Sequence, residues 1–177
     1  MDTQAFIDAV VRRGLVNAEA AERLTKESAM TGVPIERLLV ARRVTDEASI
    51  AQVKSELSGV PYRAVSAAEV PEELFKLIPL ETVQTYHVIP IEKTESLLVV
   101  GMTDPQDLRA QDALTFIAKA NKLSLGVYLV TPSDLEAVLR RYTPYRSEIE
   151  SAVRSLNVRA GEGLSAAQKT VALNEGS

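Results

Sequence analysis

The sequence predicts an α+β fold: an N-terminal helical subdomain of two repeated helix pairs, packed on a small, roughly three-stranded sheet with flanking helices. Three observations carry that expectation. Val88-Ile89-Pro90-Ile91 and Leu97-Leu98-Val99-Val100-Gly101 are apolar runs separated by the polar turn Glu92 to Ser96, the pattern of a buried hairpin. Residues 1–60 instead place apolar side chains at helical spacing, in four blocks punctuated by glycines and capping residues. Hydrophobic residues make up 46% of the 177 and aromatics only 5%, so the core is expected to be built from Leu, Val, Ile and Ala.

The first helix is read from Thr3 to Arg13, with Phe6, Ile7, Val10 and Val11 on one face and Gly14 closing it. Asn17 caps a second helix from Ala18 to about Met30, closed by Gly32. A third begins at Pro34 and turns Ile35, Leu38 and Leu39 inward. Thr45 or Asp46 caps the fourth, with Ile50, Val53 and Leu57 inward and Gly59 at its end. One constant offset superposes the pairs: Phe6 falls on Ile35, Val10 on Leu39, Arg13 on Arg42, Ala21 on Ile50 and Leu24 on Val53. The match is mainly one of apolar pattern, which any two amphipathic helix pairs share in part.

From Val60 the texture changes. Pro61 to Val65 reads as a short edge strand, Pro71 to Leu77 and Pro79 to Tyr86 as short helices, and the hairpin follows. Asp107 caps a helix over 108–120 with Ala110, Leu114 and Ile117 inward. Leu123 to Val130 alternates as a third strand, and Thr131-Pro132-Ser133-Asp134 starts a helix to about Tyr142. The resulting organisation is 1–60 helical, 61–144 α+β, and 145–177 a short helix followed by a flexible linker. An ending in linker is what a piece of a longer chain would show.

Composition closes off several functions. There is no cysteine, hence no disulfide, thiolate nucleophile or Cys-ligated zinc, and the lone His87 leaves little for imidazole metal sites. No apolar run approaches the roughly 18–20 residues needed to span a bilayer. The start M-D-T-Q-A-F lacks the basic region of a signal peptide, so a cytoplasmic setting is expected. Residues 1–65 carry nine basic and nine acidic side chains, 66–144 seven and eleven, and 145–177 four of each. The excess negative charge on the strand-bearing segment disfavours nucleic-acid binding.

No G-x-x-x-x-G-K-[ST], G-x-S-x-G, H-E-x-x-H or EF-hand pattern occurs, so catalysis by this chain is not expected. His87, at a helix-to-strand junction, is read as structural, with a ring nitrogen bonded to backbone. Asp104 and Asp107 are read as turn and N-cap residues rather than an acid/base or metal pair. Arg12-Arg13 and Arg42-Arg43 each end the first helix of a repeat. They complement a helix dipole there, or they present bidentate donors to a phosphate or an acidic partner.

Pro79 to Ile91 as P-x-x-x-x-x-x-Y-x-V-I-P-I, then L-L-V-V-G-M-T-D-P-Q-D, D-A-L-x-F over Asp112 to Phe116, and V-x-x-x-D-L-E-A-V-L-R-R-Y resemble one family. It is the N-terminal domain of type II secretion and type IV pilus assembly ATPases, the general secretory pathway protein E family. The resemblance implies a regulatory domain that precedes a hexameric motor and docks it on the cytoplasmic domain of an inner-membrane platform protein. It implies a cytoplasmic location, peripheral to the inner membrane through that partner, without membrane insertion or nucleic acid. ATP and magnesium are expected only in the motor domain of the full-length chain. Arg12, Arg13, Arg42 and Arg43 are the partner-binding candidates.

A subset of that family binds cyclic di-GMP through two motifs that begin R-L-G, end in glutamine and are separated by the same offset as the helix pairs here. The equal offset strengthens the duplication, but this sequence has Ala5-Phe6-Ile7 and Pro34-Ile35-Glu36 where R-L-G is expected, and Ser28 and Leu57 for the glutamines. The scaffold is expected to be kept and the cyclic di-GMP site lost. Under the alternative of a cyclic di-GMP sensor, Arg13, Gly14, Arg42 and Arg43 are the candidate ligand residues.

Overall fold

The computed structural model describes residues 1–142, of which Met1–Arg140 form one compact unit. The helix and linker expected over 145–177 lie outside the described residues. The first four helices are α1 (Thr3–Arg12), α2 (Ala18–Thr31), α3 (Ile35–Ala41) and α4 (Glu47–Ser58). Their starts are chemical: Asp2, Asn17 and Asp46 each accept from a first-turn amide, of Gln4, Ala20 and Ser49 respectively. Bonds from the Ser49 amide and then its hydroxyl hold the Asp46 carboxyl below its ordinary range. Gly32 and Gly59, at φ 72° and 73°, close α2 and α4 in the left-handed region.

The duplication is structural as well as sequential. Arg13, Gly14 and Leu15 donate to the carbonyls of Ala9, Val11 and Val10. In the second copy Arg42, Arg43 and Val44 donate to those of Leu38, Val40 and Leu39, the equivalent positions throughout. Helix α1 packs on α4 and α2 on α3, a reciprocal exchange between the copies. Phe6 and Ile35, Val10 and Leu39, Ala21 and Ile50, and Leu24 and Val53 are all buried, equivalent beside equivalent, in one hydrophobic cluster.

One equivalence carries a cost. The turn after α1 uses Gly14 at φ 70°, and the turn after α3 forces Arg43 to φ 54°. An L-residue is penalised in the left-handed region by the clash of its Cβ with the next carbonyl. Arg43→Gly is therefore expected to stabilise the fold by up to about 1 kcal/mol, part of the relief being offset by glycine's chain entropy. A urea midpoint that falls in this variant would mean the arginine side chain contributes more than its backbone strain removes.

Beyond a short 3₁₀ turn (Ala67–Glu69), the second half contains α5 (Glu73–Leu77), α6 (Leu80–Tyr86), β1 (Val88–Lys93), β2 (Leu97–Met102), α7 (Leu108–Ala120) and β3 (Ser124–Leu129). A further helix, α8, runs over 132–142. The sheet order is β1-β2-β3, with β1 antiparallel and β3 parallel to β2. A parallel pair needs a crossover of a dozen or so residues, and α7 supplies it. Pro90, which has no amide hydrogen to give a ladder, sits in the terminal strand beside a register shift that runs from Pro90 to Glu92.

The strand expected over Pro61 to Val65 reduces to one parallel bridge, Tyr62 to Leu129. The left-handed Gly59 ends α4 just upstream, so only a short stretch comes alongside β3. Arg63 then donates from its guanidinium to Glu92 (3.1 Å) and lies over the Tyr128 ring. On α7, Ala118 takes a buried position and Ile117 is half-buried, which corrects the expected inward set by one residue. Leu57, expected inward on α4, is 37% exposed. Asp107 and Thr131 cap α7 and α8 as expected, the latter in a reciprocal pair of bonds with Asp134.

Candidate functional site

Building the site from its cations, the four arginines divide into two pairs with different occupations. Arg13 of the first repeat pairs with Glu56 of the second, and Arg42 pairs with Glu27. Arg13 is the equivalent of Arg42 and Glu27 that of Glu56, so the two ion pairs are one contact made twice, as across a local twofold axis. The hydrogen bond from Arg42 to Glu27, then the Glu27 charge, raises the Arg42 guanidinium above its ordinary value. Arg13 and Arg42 thus tie the repeats together at the surface, a use the sequence did not disclose because each glutamate is on a helix of the other copy.

Arg12 and Arg43 are left exposed, and among the described residues neither enters an ion pair. Arg12 borders a groove between α1 and α2 whose walls include Ile7, Val11 and Ala21. Arg43 borders a shallow depression with Asp46, Glu47 and Tyr62. Burial first, then the charges of Asp134, Asp46 and Glu47, pushes the Tyr62 phenol up. The structure accordingly does not gather the four arginines into one anion site, and Gly14 serves the α1–α2 turn.

A different set converges. Phe6, Ser28, Pro34, Ile35 and Glu36, all at positions where the R-L-G and closing-glutamine motifs would stand, line a cavity of about 230 Å³ with Asp2, Lys54 and Asp104. The Lys54 ammonium donates to the Thr103 carbonyl (3.0 Å) and lies 3.8 Å from Glu36. Three residues with carboxylates, Asp2, Glu36 and Asp104, line this cavity together with Lys54 and the N-terminal Met1. That balance repels a phosphodiester, and Glu36 fills space a glycine would leave open. Lys54 was not singled out in sequence because its partner is distant, a carbonyl 49 residues away.

The remaining candidates have local roles. The Asp104 carboxylate accepts from the Gln106 amide (3.1 Å), and the Asp107 carboxylate from the amides of Arg109 and Ala110. His87 ends α6 at φ 53°, and its carbonyl accepts from the Thr103 amide. The expected bond from its ring to backbone is not found among the described residues, because the left-handed turn leaves the side chain exposed. Among the described residues no group of three or more His, Asp or Glu side chains could hold a metal ion, and no helix is long and apolar enough to cross a membrane.

Comparison with known proteins adds a family. The family model for the MshEN domain matches residues 58–149. The type IV pilus assembly ATPase PilB of Myxococcus xanthus (strain DK1622) is 26% identical over 147 residues, 81% of this chain and 25% of that protein. The chain thus spans about a quarter of that relative's length. Among solved structures, MshE with cdg shares the fold at a TM-score of 0.62 and 19% identity, covering 77% of this chain and 97% of that one. The N-terminal domain of XpsE does so at 0.53 and 19%, covering 78% and 93%. At that identity the two likenesses speak for the fold.

Proposed function

Because the chain belongs to the MshEN domain family, we propose that it is the regulatory and docking module of a type IV pilus or type II secretion motor ATPase. It positions the motor against the cytoplasmic domain of an inner-membrane platform protein and performs no catalysis itself. The observation that carries this reading is the 147-residue alignment with a pilus assembly ATPase, whose remaining length has room for a motor. The absence of a phosphate loop from the sequence agrees with it: ATP and magnesium belong to that motor. The docking surface is the helical module, with the uncommitted Arg12 and Arg43 meeting acidic side chains of the partner. Arg13 and Arg42 act behind them by holding the repeats together. Titration of the chain with the platform's cytoplasmic domain should give saturable binding that weakens as salt is raised. No saturation would remove the docking role.

A second reading, sensing of cyclic di-GMP, is favoured by one observation, the fold shared with MshE in a structure that holds cdg. The lining described above opposes it, since Glu36 and two further acidic residues line the cavity with Lys54. Calorimetry with cyclic di-GMP separates the readings: no heat of binding is expected, and micromolar or tighter binding would overturn the argument from the lost motif.

A further inference from the structure

The helical module closes a hydrophobic core of its own. One cluster of buried residues runs from Phe6 to Val53, with Val11, Leu15, Val33, Val40 and Val44 packed on it. What joins this module to the sheet half is partly polar, and two of its hydrogen bonds come from one helix. Near the start of α4, the Glu47 carboxylate accepts from the Ser133 amide (3.1 Å) in the first turn of α8. Two turns on, the Lys54 ammonium donates to the Thr103 carbonyl (3.0 Å), directly after β2. The internal duplication supplies the control: at the equivalent positions of the first copy, on α2, stand Ala18 and Thr25. The outward face of α2 carries Glu19–Arg23 and Glu22–Lys26 ion pairs instead. The two copies of one helix have diverged, one toward solvent and the other toward holding the second half of the chain.

We propose that α4 is a two-point polar latch whose release lets the helical module move against the sheet, with Lys54 as the switched point. Lys54 is suited to this because it has two oxygen partners on opposite sides of the junction. Thr103 belongs to the sheet half and Glu36 to the helical module, 3.8 Å away. The same ammonium lines the cavity that Phe6, Ile35 and Asp104 share, so whatever enters there meets the latch. Loss of the Lys54 bond to the Thr103 carbonyl would free the turn that leads through Asp104 to the Asp107 cap of α7. The inference rests on the contacts of α4 and stands whichever partner the docking surface meets.

Lys54→Met keeps the length and the apolar stem while removing the donor, and Glu47→Ala removes the second point. With nitroxide labels on Arg23→Cys and Phe116→Cys, both exposed positions in separate halves, the parent chain should give one narrow distance distribution. The double latch variant should give a broad or shifted one. In parallel, amides of Thr103, Asp104, Gln106 and Asp107 and of Ser133 should exchange about tenfold faster, the equivalent of one lost hydrogen bond, with those of α1 and α2 unchanged. If Lys54→Met does not fold, Glu47→Ala alone should still broaden the distribution and speed Ser133 exchange. A distribution identical to the parent's, or exchange accelerated equally throughout α1–α4, would overturn the latch.

Discussion

Gly101→Val is expected to lower stability by about 1–3 kcal/mol, or to prevent folding, because the position has no room for a side chain. A Cβ built there would run into Val130 Cγ1, with Val130 Cγ2 and Ile89 Cγ1 both at 3.1 Å. Neither neighbour can retreat: Val130 is 2% exposed and Ile89 is fully buried. Gly101 is not a left-handed residue, so the constraint is close approach across the sheet rather than backbone freedom. Gly101→Ala should show the same effect in milder form, read as a lower urea midpoint with an unchanged slope. A midpoint equal to the parent's would mean that Val130 turns aside freely and that the packing around β2 is looser than described.

The second large effect belongs to the helical module. Phe6 is 1% exposed and anchors the cluster that both repeats share. Phe6→Ala should cost about 3–5 kcal/mol through lost transfer energy and the cavity left behind. Set against a total of about 5–15 kcal/mol for a typical domain, that is enough to unfold the module. Because its core is separate, the loss should be uneven: amides of α1 to α4 exchange rapidly, while those of Leu98 to Val100 in β2 stay protected. Uniform loss of protection would mean that the two halves unfold only together.

The success of sequence reasoning followed the range of the interaction. Helix starts at Asn17 and Asp107, and ends at Gly32 and Gly59, were legible because caps act over three or four residues. The hairpin was legible for the same reason. The constant offset between the helix pairs was visible as pattern, and the structure turned it into matching turns at Gly14 and Arg43. What stayed hidden was contact between distant segments. Arg13, read as a dipole partner or an anion-binding donor, pairs with Glu56 of the other repeat, and Lys54 drew no reading because its partner is a carbonyl 49 residues away. The Leu123 to Val130 strand was found, but its parallel partner could not be read from alternation alone, since period-two patterning is the same in either direction. Parallel pairing also leaves β3 half-buried along most of its length rather than sided.

The docking reading turns on a division of labour among four arginines, and one measurement addresses it directly. In a titration of the chain with the platform protein's cytoplasmic domain, Arg12→Glu together with Arg43→Glu should weaken binding by about tenfold or more while leaving the unfolding midpoint near the parent's. Arg13→Met together with Arg42→Met should instead lower the midpoint, with a smaller change in affinity. Unaltered affinity in the Arg12/Arg43 variant, at a stability equal to the parent's, would contradict the assignment of the helical module as the docking surface.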